Sequence, residues 1–169
     1  MKKYMIILIG LLLAVSFSIM VMAQDSVTPE EVVAKVREAA VYLEENGDAV
    51  LDEFKDPAGP WAWENTYVFV FDCDNGQSVA NIFPEVVGKP IEEVVGDEGW
   101  PVGVELCKAG NEYEQGRWIE YMWPEAGTGI SKKKISYIYR KPGTKYTVGA
   151  GMYNPEGVTV DSLNESLGE

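Results

Sequence analysis

The sequence predicts an α+β sandwich, with one long amphipathic helix and short helices packed on a five-stranded antiparallel sheet. Three observations predict it. Apolar residues follow a helical stripe from Val32 to Phe54, the texture turns to strand-like runs beyond Pro60, and the order along the chain is helix, two strands, short helices, three strands.

The helix starts at Thr28-Pro29-Glu30-Glu31, where Thr28 caps, Pro29 suits the first helical position and Glu31 closes a capping box. Its stripe of Val32, Val36, Ala39, Leu43, Val50 and Phe54 is interrupted at Asn46-Gly47, where a bend is expected, and Asp56-Pro57 ends it. Tyr67 to Phe71 is apolar on both faces, as a strand covered on two sides must be. Asp74-Asn75-Gly76 then reads as a hairpin turn, returning through Ser78 to Ile82. The same turn faintly resembles a calcium loop, but its twelfth position is Phe83 instead of Glu, so no metal is expected there. Short helices are expected near Ile91 to Val95 and from Pro101 to Ala109, the second stopped by Gly110-Asn111. Gly116 to Trp123, Lys133 to Arg140 and Lys145 to Tyr153 complete the sheet.

Ahead of this domain, Lys2 and Lys3 precede an almost wholly apolar run from Tyr4 to Val21, and Val21-Met22-Ala23 has the form of a signal-peptidase site. Residues 1–23 are therefore expected to be an export signal cleaved before Gln24, with an uncleaved N-terminal anchor as the alternative. Residues 24–153 form the domain, and residues 154–169 an acidic tail expected to fray. The mature product is expected in the periplasm or outside the cell, with no membrane span, because no second apolar stretch approaches the roughly 18 residues a span needs. The formal charge of −13 becomes −15 without Lys2 and Lys3. Such a surface repels phosphate backbones, so no nucleic-acid partner is expected.

Histidine is absent, which removes Ser-His-Asp and Cys-His catalysis and histidine-ligated zinc. No carboxylate pair, phosphate loop or nucleophile elbow marks an active site, so neither an enzyme nor a cofactor is expected. Cys73 and Cys107 are an even pair in an exported chain, most simply a disulfide; two buried thiols are the alternative, and a two-thiolate metal site a distant third.

Two features point to binding. Tryptophans and tyrosines crowd the strands beyond the needs of a dry core, so a half-polar pocket competes with a purely structural role. Lys132, Lys133, Lys134, Arg140, Lys141 and Lys145 fall within 14 residues that contain no acid. Most suit pairing with the acidic helix and loops. Alternation along the strand puts Lys134 and Ser136 on one face, with Ile135 and Tyr137 on the other. An ammonium inside needs an anionic partner. Lys132 is expected at the solvated end.

Tyr67-Val68-Phe69-Val70-Phe71-Asp72, Val86-Val87-Gly88-Lys89, Gly116 to Pro124, Lys134-Ile135-Ser136-Tyr137 and Val148 to Tyr153 stand in an order that resembles the single Cache domain of the second type, an extracellular sensor module. The resemblance covers residues 28 to 153. It implies a PAS-like sheet behind the N-terminal helix and a small organic ligand, often a short carboxylate, held between the sheet and the loops crossing its other face. Carried onto this sequence, the ligand contacts are Phe69, Trp118, Tyr121, Trp123, Lys134, Ser136 and Tyr137. A His-Pro pair usual after the second strand is replaced by Phe83-Pro84, which alters one polar contact. The chain stops at Glu169 without the transmembrane helix and signalling domain usual in the family. The resemblance therefore implies a ligand-binding protein without its own transducer, presenting its ligand to a membrane-bound receptor or kinase. The alternative is an envelope interaction protein whose pocket is lost.

Overall fold

A computed structural model describes residues 27–168. The expected signal and its cleavage point lie outside the described residues. Helix α1 (Pro29–Asn46) opens on the capping box: the Thr28 hydroxyl accepts the Glu31 N–H at 3.2 Å, and the Glu31 carboxylate accepts the Thr28 N–H at 2.9 Å. Gly47, at φ +63°, adopts the left-handed backbone that ends α1, and a 3₁₀ helix (Gly47–Lys55) carries on to bury Val50 and Phe54. The expected bend is there.

A two-residue ribbon, β1 (Ala62–Trp63) with β2 (Thr66–Tyr67), precedes the main sheet. The expected single strand from Tyr67 to Phe71 is split at Val68. The Val68 N–H donates to Trp61 O at 2.8 Å, inside the ribbon, so only β3 (Phe69–Asp72) enters the sheet. Strand β4 (Gln77–Ala80) stops before Ile82 because the Asn81 side chain accepts the Phe83 N–H and turns the chain. Helix α2 (Val102–Glu112), strand β5 (Arg117–Pro124), strand β6 (Ser131–Arg140) and strand β7 (Tyr146–Tyr153) follow. The five strands lie antiparallel in the order β4-β3-β7-β6-β5. Every residue of the central β7 is buried. Helix α2 runs through Gly110 instead of stopping there, because a glycine lets it approach Thr147 on β7 more closely than any side chain permits.

The sheet divides two cores. On one face α1 packs its valines and Leu43 against Val68, Val70, Ile135, Tyr137, Val148 and Ala150. On the other, α2 and the preceding loop cover Phe69, Phe71, Tyr121, Trp123 and Ile138. The disulfide Cys73–Cys107 ties α2 to the end of β3, as the even count predicts. The expected frayed tail is corrected: α3 (Val160–Ser166) docks on the outer edge of β5. Asn164 explains it, accepting the Trp118 N–H at 2.9 Å and donating to Trp118 O at 3.2 Å, so its amide completes the hydrogen bonds of an edge strand. Among the described residues no helix is long and apolar enough to cross a membrane.

Candidate functional site

Register and alternation bring one buried cation to the face beneath α2. On β6, Lys134 lies between Tyr121 of β5 and Tyr153 of β7. It is fully buried, and its Nζ has no hydrogen-bond partner among the described residues. Three rings surround the Nζ instead: Tyr67 at 4.1 Å, Tyr153 at 4.9 Å and Phe69 at 5.3 Å from their centroids. Beside it the hydroxyls of Tyr121 and Ser136 share a hydrogen bond of 3.0 Å, and Trp123 Nε1 donates to Tyr67 Oη at 2.8 Å.

The adjoining cavity is lined by Tyr67, Phe69, Phe71, Tyr121 and Trp123 from the sheet side, and closed by Asn81, Val94, Val102 and Leu106. Among the described residues no Asp or Glu lines it. Burial pushes the Lys134 amine well below its ordinary range, and it pushes the Tyr67, Tyr121 and Tyr153 phenols up, so no neighbouring hydroxyl ionises to serve as counter-ion. Trp100 stacks on Tyr121, ring centroids 5.7 Å apart and planes within 9°, and the loop that carries it also brings Val94 to the cavity wall. About 10 Å³ remains for the centre of a water molecule, room for roughly one water.

A family model for the Cache domain, named dCache_2, matches residues 48–156. The chain belongs to the Cache domain family. Solved structures share the fold. The methyl-accepting chemotaxis protein from Vibrio parahaemolyticus RIMD 2210633 aligns at TM-score 0.59 and 17% identity, over 73% of this chain and 86% of that one. A Cache chemosensory domain whose structure concerns carboxylic acid recognition aligns at 0.56 and 20%, over 73% and 86%. The periplasmic sensor domain of a chemotaxis protein aligns at 0.55 and 17%, over 73% and 88%.

Within this Cache domain the expected site residues part company. Phe69, Tyr121, Trp123, Lys134 and Ser136 share the face beneath α2. Trp118 and Tyr137 face α1, one residue out of phase along their strands, and cannot reach the cavity. Tyr137 Oη donates to Gln115 O at 2.5 Å and accepts from Arg37, while Trp118 packs against the Tyr137 ring. Both are structural props.

The other cations also find partners outside the cavity. Lys132, with its side chain partly exposed at that end of β6, bonds Glu125 at 2.5 Å, and Arg140 pairs with Asp74 at 2.8 Å. Lys141 reaches Glu44 and Lys145 reaches Asp48, the expected pairing with the acidic helix region. Sequence reasoning missed Tyr67, Tyr153 and Trp100. Tyr67 shares alternation with Phe69, and Tyr153 follows from the β6–β7 register, whereas Trp100 arrives from a loop with no local signal.

Proposed function

We propose that this Cache domain is an exported small-molecule receptor that holds an organic carboxylate on Lys134. The observation that carries the reading is the buried Lys134 Nζ, which has no hydrogen-bond partner among the described residues and lies over the rings of Tyr67 and Phe69, two walls of the cavity. Burying such a group costs about 1–3 kcal/mol even when neutral and several kcal/mol when charged. The three aromatic faces around Nζ offset only part of that cost, and an arriving anion offsets the rest. The Tyr121 and Ser136 hydroxyls stand ready to donate to the second carboxylate oxygen. The comparable structure concerned with carboxylic acid recognition supports the same ligand class.

The cavity is too small for an organic acid as it stands, so on this reading entry displaces the loop that brings Val94 to the cavity wall and Trp100 onto Tyr121. A roof that moves only when the ligand is present is what a sensor needs, since a ligand shifts a conformational equilibrium only through differential affinity for its states. The function follows as ligand-dependent presentation of this roof to a membrane-bound receptor or kinase. The module is a single Cache unit of the second type, a form supported by the one five-stranded sheet among the described residues. Residues 1–23 export it to the periplasm or beyond.

The closed cavity also favours a second reading, an envelope interaction protein with a vestigial pocket. A thermal-shift screen of the chain against small organic acids, amines and amino acids separates the two. An acid at 100 times its Kd stabilises by about 2.7 kcal/mol. No shift from any acid leaves the vestigial pocket, and a shift from amines alone overturns the charge assignment.

A further inference from the structure

The geometry around Lys134 decides what else must enter with the ligand. The groups against it are uncharged: Tyr67 from β2, Phe69 from β3, Tyr153 from β7, and on β5 its register partner Tyr121, bonded to Ser136 of β6; the cavity beside them adds only Phe71, Trp123, Val102, Leu106, Asn81 and Val94 among the described residues. The acids at the ends of the strands around it are engaged with other partners. Glu125 accepts from Lys132, Asn65 and Thr128, Glu120 lies against Lys133, and Asp72 holds Lys145 and Asn75. Among the described residues the amine has neither a counter-ion nor a hydrogen-bond partner to carry a charge. Only three aromatic faces oppose deprotonation.

On the carboxylate reading above, we propose that the cavity takes up an acid as carboxylate plus one proton, so that it registers the acid and the acidity together instead of the anion alone. The balance is simple. The neutral Lys134 amine, the carboxylate and one proton from solvent give an ammonium–carboxylate pair, and release returns the proton. No bond other than N–H forms or breaks. The direction of the Lys134 shift, set by burial, agrees with a free site that is neutral. The consequence for a sensor is selectivity for conditions. The same carboxylate concentration occupies the site more fully in acidifying surroundings, which is what accumulation of a weak acid produces.

The test is calorimetric titration of the unmodified chain with acetate and with propionate. Each titration is run in two buffers of different ionisation enthalpy, at several values between about pH 7 and 9. The expected result is uptake of about one proton per acid bound and an affinity that falls about tenfold per pH unit. Acid binding with no proton uptake and no pH slope overturns the proposal while leaving the carboxylate reading standing, because the rings then hold the lysine charged in the empty site. Binding of neither acid, nor of any carboxylate in the thermal screen, removes both. Lys134→Met adds a control that does not depend on affinity: in that variant any residual acid binding takes up no proton. Uptake that persists in the variant assigns the proton elsewhere and overturns the proposal.

Discussion

Replacing Lys134 by methionine keeps nearly the same volume and removes the buried amine beside the cavity. Two costs disappear with it. The unpartnered donor costs about 1–3 kcal/mol at any pH. The second cost depends on pH. An unfolded lysine titrates near 10.4, whereas the folded one is held well below that by burial. Between the two values the unfolded chain binds one more proton than the folded chain, so wild-type stability rises with pH by about 1.4 kcal/mol per unit. Below the folded value the penalty is constant, and near pH 10.4 it vanishes. Lys134→Met should therefore be more stable than wild type at pH 7 by at least 1–3 kcal/mol, which at roughly 3 °C per kcal/mol raises Tm by about 3–9 °C or more. Its advantage should shrink as pH rises, and its carboxylate affinity should drop at least thirtyfold, since removing one partner of a buried charge pair typically costs about 2–5 kcal/mol. Gaining stability while losing binding is the signature of a residue kept for function. Denaturant titrations of both proteins at pH 7 and 9.5 decide it. A Met variant less stable than wild type, or an advantage indifferent to pH, would show that Lys134 has a structural partner and refute the reasoning.

Lys132→Ala should change acid affinity by less than about threefold in the same titrations, because its ammonium is engaged by Glu125. Opening the Cys73–Cys107 bridge, by reduction or as the double Ser variant, should lower stability by up to about 3.5–4 kcal/mol on the chain-entropy model and weaken acid binding, since it frees the helix that roofs the cavity. Intact-mass measurement with alkylation checks that the bridge is present first. Asn164→Ala should cost about 1–3 kcal/mol in denaturant melts by leaving Trp118 N–H and C=O unpaired at the edge of β5, and no effect would mean that α3 does not dock in solution.

Local signals were the legible ones. The capping box at Thr28, the break at Gly47 and the Asn75-Gly76 turn each act within a few residues, and the structure forms each where the pattern indicates. Alternation separated Lys134 from Tyr137 correctly. The same rule separates Trp118 from Tyr121, three positions apart, yet the aromatic content of β5 invites reading them as one surface. What the pattern could not show depends on contacts distant in sequence. Trp61 O captures the Val68 N–H and splits a strand that propensity alone would extend. The short α3 is too weak to stand by itself and is held by an amide on a strand 46 residues away. Trp100 reaches Tyr121 only because the crossing loop is folded onto the sheet. The strand face of Lys134 was legible, but its burial and its solitude were not, because they depend on side chains from several strands at once.

The measurement that bears most directly on the central claim is a crystal structure of the chain soaked or grown with acetate or propionate. The account predicts a carboxylate oxygen within hydrogen-bond distance of Lys134 Nζ, the other near Tyr121 Oη and Ser136 Oγ, and Trp100 displaced from its stack on Tyr121. An acid bound elsewhere, such as against Lys132, with the Lys134 cavity closed and unchanged would contradict it.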